Sequence, residues 1–449
     1  MLNALLAFGM ETTFFRYINK VEDKKKVYST TFFSVLILSV TFLIITILFT
    51  KDLAIWMHDD GVTSLKDYET FIRLFVGILV IDAIAVIPFA KVRADGKPGR
   101  YTIIKTVNII VFVGLNLFFL FVVPWGIKHG LFEFKWFRPS WVGYVFISNL
   151  LASLVTLLLL LPELLKLSLG FDTQLFKEML FYSFPVLIAN LSFIINENSD
   201  KIFIKRILGG DYGEQEVGIY GAVCKIAIFL SIFVQAFRLG AEPFFFSHAK
   251  NKNSGDTYAQ IMNYFVIAVS LIFVALVANI DILKYFIHGG TPSQQLLYWS
   301  GLKVVPVLLL GYVSLGIYMN LSIWYKLSDQ TKYGLYISGI GAILTLVLNI
   351  LFIPKYSYVA SAWISLTAYA SMMILSYILG QRNYPIPYNL KKNLAYLITS
   401  IIIVFLSFNV FNRNLIIGNL LLIAFAAGAL YFERNNLRAI FKKNDSSNN

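Results

Sequence analysis

The chain has 449 residues, 58% of them hydrophobic and only 14% charged, against about 25% charged in soluble domains, which excludes a string of soluble globular domains. Its formal net charge of +13 is scattered over short loops rather than gathered on one folded surface, which argues against nucleic-acid binding. A single cysteine, Cys224, and four widely spaced histidines leave no intrachain disulfide and no Cys-based metal centre, and no cofactor is expected.

Thirteen apolar segments follow one another: 1–17, 28–50, 71–90, 101–123, 141–161, 179–197, 217–237, 259–282, 302–324, 334–353, 358–380, 394–411 and 414–432. All but the first are long enough to cross about 30 Å of hydrocarbon as helices rising about 1.5 Å per residue. A helix satisfies its own backbone hydrogen bonds in lipid. The runs are too long and continuous for the strands of a membrane barrel. Met1–Tyr17 is short, contains Glu11 and Arg16, and has no basic stretch ahead of it. It reads as the second half of something rather than as a signal peptide. The expectation is an all-α membrane protein of about thirteen transmembrane helices.

The loops orient them. Counted in alternate loops, one set starting at 16–27 and ending with 433–449 carries 23 Lys and Arg, and the other carries 11. The richer set belongs in the cytoplasm, which places the C-terminus inside. Lys24–Lys26 and Lys91, Arg93, Lys97 and Arg100 then read as topology determinants facing anionic lipid. Loops such as 198–216 and 238–258 are too short for a further domain, and 433–449 reads as a disordered polar tail.

Two stretches echo each other. Arg100-Tyr101 and Lys332-Tyr333 each open an apolar run that contains Leu-Asn (Leu115-Asn116, Leu348-Asn349) and ends near Pro124 or Pro354. The copies lie six segments apart and so run in the same direction. That suggests two parallel six-helix repeats related by an axis along the membrane normal. The expected organisation is an N-terminal lobe at 1–165, a C-terminal six-helix lobe at 166–385, and two further helices with a polar cytoplasmic end at 386–449.

Polar groups at membrane depth are costly and mark cavities or pairing. Lys105, Asn108 and Asn116 share one helical face, as do Asn190 and Glu197 with Ser183 and Lys201. Lys225 lies inside 217–237, and Asp82 inside 71–90. For Asn116, Asn190 and Asn349, hydrogen bonding between helices fits as well as a cavity lining. For Glu11, Arg16, Lys105 and Lys225, simple pairing and a substrate-lined cavity both fit. Cations in a cavity suit anionic cargo such as phosphate. Phosphate-loop, GxSxG and HExxH patterns are absent, so no enzyme activity is expected.

Several stretches resemble one family. Leu6-Ala7-Phe8-Gly9-Met10-Glu11 followed by Phe15-Arg16-Tyr17 looks like the second helix of bacterial oligosaccharide flippases. Asp200-Lys201, Leu208-Gly209 and Val217-Gly218-Ile219-Tyr220 resemble the join of that family's seventh and eighth helices, and Glu242-Pro243-Phe244 also fits its pattern. The family belongs to the multidrug/oligosaccharidyl-lipid/polysaccharide exporter superfamily. Its usual fourteen helices imply that the first is absent here, which leaves an inactive fragment as one expectation. The resemblance implies a multi-pass protein of the bacterial inner membrane. It would carry polyprenyl-diphosphate-linked oligosaccharide to the outer leaflet by alternating access through a cationic central cavity, with a polysaccharide polymerase and glycosyltransferases as partners. Glu11 and Arg16 are the carried-over candidates; Lys105, Asn108, Asn116, Asn190, Glu197 and Lys225 complete the set. A cation-coupled multidrug antiporter, a lipid II flippase and a membrane enzyme of polysaccharide assembly stay open as alternatives.

Overall fold

The structure is a computed structural model that describes residues 2–58, 63–130, 137–251 and 253–445. The helices are α1 (Leu2–Ala7), α2 (Met10–Lys20), α3 (Lys24–Leu48), α4 (Thr50–Met57), α5 (Leu65–Ala94), α6 (Pro98–Lys128), α7 (Gly143–Leu159) and α8 (Leu161–Leu164). They continue with α9 (Thr173–Leu208), α10 (Gly210–His248), α11 (Ser254–Ala278), α12 (Pro292–Leu327), α13 (Lys332–Asn383), α14 (Leu390–Val410) and α15 (Leu415–Asp445). Ten of these are long and apolar enough to cross a membrane, and α7 is a shorter apolar helix. The described residues contain no strand. The chain is an all-α, multi-pass membrane protein.

Local chemistry sets the boundaries. The Asp23 carboxylate accepts from the Lys26 N–H at the start of α3, and Ser64 from the Asp67 N–H at the start of α5. Pro98 opens α6, where a missing N–H costs nothing. Outward faces are apolar: Ile109, Ile110 and Phe121 on α6, and Ile416, Leu420 and Ile423 on α15, are all exposed. Such surface suits hydrocarbon, not water.

Three expectations need correction. The first apolar segment is two helices, because Phe8 and Gly9 adopt left-handed backbone conformations, with φ of 48° and 66°. Gly9 is also a close approach: a Cβ there would stand 2.8 Å from the Ser183 carbonyl oxygen. Second, 198–216 and 238–258 are mostly helix, with α9 and α10 meeting at Gly209 and Gly210 (φ 64° and 51°). Hydropathy marks the lipid-immersed stretch, and these helices continue past it into polar sequence. Third, α15 runs on through Asp445, where a disordered tail was expected; Ser446–Asn449 lie outside the described residues.

The residues form two compact units, Met1–Leu191 with Glu242–Ser247, and Ser192–Ala241 with His248–Asn449. In the first, α5 packs on α2, α3 and α7, and α6 packs on α7. A polar clamp closes one end. Glu163, with only 2% of its side chain exposed, pairs with Arg100 at 2.8 Å and Lys166 at 3.8 Å. The Tyr28 hydroxyl donates to the Glu163 carbonyl at 3.0 Å. Arg100, a third of whose side chain stays exposed, is thereby ion-paired within the unit.

In the second unit, α12 packs on α13, and α11 on α12, α14 and α15. α13 is two helices joined at Ser357, whose φ of 51° and ψ of −142° break the helix. The Ser357 hydroxyl donates to Glu216 on α10. The last helix, α15, is tied to the end of α11 by reciprocal amide bonds between Asn279 and Asn419, at 3.2 and 3.1 Å.

The linker before α9 carries a pH-sensitive contact. The Asp172 carboxylate pairs with Lys26 and accepts from the Gln174 and Leu175 N–H groups at 2.8 and 3.0 Å. The Lys26 hydrogen bond, then the Leu175 N–H, hold this carboxyl below its ordinary value. A lowered native pKa gives stability that is complete above the unfolded value, about 3.9, and is lost as pH falls through the lower native one. Asp172→Asn should flatten the loss of thermal stability below about pH 4. Identical acid limbs for the purified wild type and variant would show that the contact contributes nothing.

Candidate functional site

In the first unit the site grows from the Gly9 break, which starts α2 and places Glu11 in its first turn. Glu11 pairs with Arg93 of α5. The Arg93 side chain is 6% exposed and that of Glu11 38%. The guanidinium lies 5.0 Å from the Phe15 ring centroid and 5.3 Å from that of Tyr101, so two aromatic faces share its charge. Arg93, expected from its loop to face anionic lipid, is instead paired and packed within the unit. It turns inward because α2 supplies a carboxylate and a ring.

Lys105 of α6 is exposed and carries its ammonium 4.5 Å from the Phe89 ring centroid. It senses the charges of Asp82, Glu11 and Arg93. Asp82 accepts from the Ser153 hydroxyl at 2.7 Å. One turn after Lys105, Asn108 donates to the Thr156 hydroxyl at 2.9 Å. Thus Glu11, Lys105, Arg93 and Asp82 form one electrostatic neighbourhood on α2, α5 and α6. Arg16 is half-buried on α2. Thr12, one residue past Glu11, donates to Glu242 at 2.8 Å. Asn116 bonds to its own helix, donating to the Phe112 carbonyl at 2.8 Å, and Asn190 is half-buried on α9.

The second unit holds a different arrangement around Asp200 of α9, which is 4% exposed. Its Oδ2 accepts from the Tyr220 hydroxyl at 2.7 Å and the Ser365 hydroxyl at 2.9 Å. Its Oδ1 accepts from the Asn349 amide at 3.4 Å, and the Ser361 hydroxyl donates to Asn349 Oδ1 at 2.8 Å. The bend at Ser357 brings Asn349, Ser361 and Ser365 of α13 to one place. Glu197, one turn earlier on α9, senses Arg238 and Lys201, and Lys225 is exposed on α10.

A carboxyl at membrane depth must be neutralised by a proton, a cation or donors. Hydroxyl and amide groups around Asp200 can stabilise its charged form, so this group can exchange a proton or a small cation. Among the described residues no three His, Cys, Asp or Glu gather as a metal site. The first unit, in contrast, offers guanidinium and ammonium groups beside aromatic rings, a chemistry for anions. From the sequence Arg93 reads as a topology determinant and Asp200 as part of a family-like motif; the structure groups Arg93 with Glu11 and Asp200 with Tyr220, Asn349 and Ser365. Asp82 and Asp200, acids within or beside apolar runs, were the available signals.

Comparison with known proteins places these features. The profile of the family described as "Polysaccharide biosynthesis protein" matches residues 1–246, and that of MatE matches 185–351. No curated protein matched the sequence. Among solved structures, the chain resembles a MATE transporter in complex with MaL6, with a TM-score of 0.67 and 15% identity over 88% of this chain and 85% of that one. It resembles a MOP superfamily transporter from Pyrococcus furiosus at 0.65 and 16%, over 85% and 84%. It also resembles the lipid II flippase MurJ in an inward closed conformation, at 0.59 and 15%, over 97% and 90%. At such identities the likeness is one of fold. The 246 matched residues are more than half of the 449, and the chain belongs to the polysaccharide biosynthesis protein family.

Proposed function

We propose that this protein is a flippase that moves polyprenyl-diphosphate-linked oligosaccharide from the cytoplasmic to the outer leaflet for cell-surface polysaccharide synthesis, lipopolysaccharide included. The observation that carries the reading is that two cations, Arg93 and Lys105, stand with Glu11 and Asp82 in one neighbourhood of the first unit, inside helices of the matched family. Those groups suit a diphosphate. A groove of about 690 Å³ between α14 and α15, lined by Ile403, Leu421, Phe425 and Phe432 with Lys392 and Glu433 among its polar residues, suits an isoprenoid chain. Transport proceeds by alternating access in the bacterial inner membrane, with the C-terminus cytoplasmic. A polymerase and glycosyltransferases act beside it.

In a strain lacking its own flippase, wild-type protein should restore surface polysaccharide. Arg16→Ala and Lys225→Ala should insert normally and restore much less. Full restoration by both variants would remove these two cations from the transport path. A reporter fused after Gly130 should score as external; an internal score would invert the topology. The MatE match and the acidic groups Asp200 and Glu197 favour a second reading, a cation-coupled drug antiporter. Ethidium efflux without polysaccharide restoration would select it.

A further inference from the structure

A further charged grouping lies in the second unit, where the stretch after α11 meets the turn between α14 and α15. The Asn279–Asn419 amide bonds hold the two stretches side by side. Asp281 stands at the centre. Its Oδ1 accepts from the Lys284 ammonium at 2.7 Å, and its Oδ2 lies 3.7 Å from Arg413 Nε. Two cations thus share one carboxylate, and the trio keeps one positive charge in excess. All three side chains are partly exposed.

Each cation is positioned without being saturated. The Lys284 ammonium lies 5.0 Å from the Trp299 ring centroid and 5.7 Å from that of Tyr285, two rings that meet edge to face at 5.4 Å. Trp299 Nε1 donates to the Lys284 carbonyl at 3.0 Å. Asn412 and Arg413 both adopt left-handed backbone, with φ of 47° and 61°, a conformation that a residue such as arginine rarely takes. The Arg413 N–H donates to the Ser407 carbonyl at 2.9 Å, and Asn414 Oδ1 accepts from the Ile416 and Ile417 N–H groups at the start of α15. This turn brings the guanidinium beside Asp281, yet among the described residues the guanidinium makes no hydrogen bond, since 3.7 Å is too long for one. Its donors stay open to a ligand.

The surroundings select the ligand class. Ile282, Tyr285 and Phe286 on one stretch, and Phe411 and Ile416 on the other, are exposed. Apolar side chains beside charges, with Trp and Tyr among them, mark the boundary between hydrocarbon and water. A phosphate can bridge the two cations as the Asp281 carboxylate already does, from their open side. A soluble anion would meet the cations alone, whereas a lipid also lays its acyl chains on the apolar side chains. A zwitterionic headgroup brings its own ammonium, which the excess positive charge repels. We propose that Lys284 and Arg413 together bind the phosphate of an anionic phospholipid, whose chains run along the exposed apolar residues of the same two stretches.

The test uses the full chain in phosphatidylcholine nanodiscs containing a little phosphatidylglycerol with a diazirine on its acyl chain close to the headgroup. In the wild type this probe should label peptides containing Phe286 or Ile416 about tenfold more than the same probe built on phosphatidylcholine. Lys284→Gln combined with Arg413→Gln should remove that preference, whereas Lys303→Gln, which takes away a cation elsewhere in the unit, should leave it intact. Asp281→Asn frees both cations and should raise the labelling at least about twofold. Equal labelling by the two lipids would reduce these stretches to an aromatic belt and overturn the proposal. So would a preference unchanged in the double variant, or labelling abolished by excess inorganic phosphate, which would mark a site for soluble anions. Should the double variant fail to insert, Asp281→Asn decides the matter: labelling that does not rise would overturn the assignment.

Discussion

Asp200→Ala should lower the thermal midpoint of the purified protein more than any other single polar substitution in the second unit. The alanine removes the acceptor of the Tyr220 and Ser365 hydroxyls and of the Asn349 amide. Each buried donor left unmatched costs about 1–3 kcal/mol, so three of them threaten a loss on the order of 3 kcal/mol or more. The damage should spread, because those donors sit on α10 and on both halves of α13. Asp200→Asn is the informative companion. It keeps the volume and one acceptor oxygen, so stability should stay close to wild type. It cannot gain or lose a charge. If the carboxylate exchanges a proton or a cation during transport, Asp200→Asn should insert fully and transport at least about tenfold more slowly. Wild-type transport by Asp200→Asn would reduce the cluster to a scaffold that holds the bend of α13.

The membrane segments were legible in the sequence because hydropathy reports directly on the solvent that a helix face meets. Each of the twelve full-length apolar runs falls mainly on one helix, with some overrunning its ends by a few residues, as 28–50 does α3 and 259–282 does α11, and the turn at 354–357 contains the break at Ser357. The helix ends were less legible. α9 and α10 extend through 198–208 and 210–216 because nothing there stops a helix before Gly209 and Gly210, although the residues are polar enough to read as a loop. The site was legible only in part, and the reason lies in pairing. Arg93 and Arg100 look alike in sequence: basic residues beside the same turn. One is drawn inward by Glu11, which is 82 residues away along the chain, and the other by Glu163, 63 residues away. Spacing within one helix cannot show such partners. Asn116 shows the converse: it shares a face with Lys105, and its amide donates to its own helix at Phe112.

The Glu11–Arg93 pair supplies the sharpest test of transport. Arg93→Gln removes a buried cation that packs on Phe15 and Tyr101, a contact worth about 0.5–2 kcal/mol. Glu11→Gln instead takes a carboxylate from a guanidinium that is almost fully buried, and breaking a buried pair from one side costs about 3–5 kcal/mol. The half-exposed position of Glu11 moderates that figure. Both single variants should lose surface-polysaccharide restoration, so neither alone separates stability from transport. The exchange Glu11→Arg with Arg93→Glu does. It rebuilds an ion pair between α2 and α5, so insertion and thermal midpoint should recover toward wild type. It also moves the guanidinium from its place between the two rings to a half-exposed position and puts a carboxylate where an anion would bind. If Arg93 receives the diphosphate, the exchanged protein should be stable and inactive. Recovered restoration in the exchanged protein would mean that the pair serves only to hold α2 against α5, and the anion-binding role would pass to Lys105.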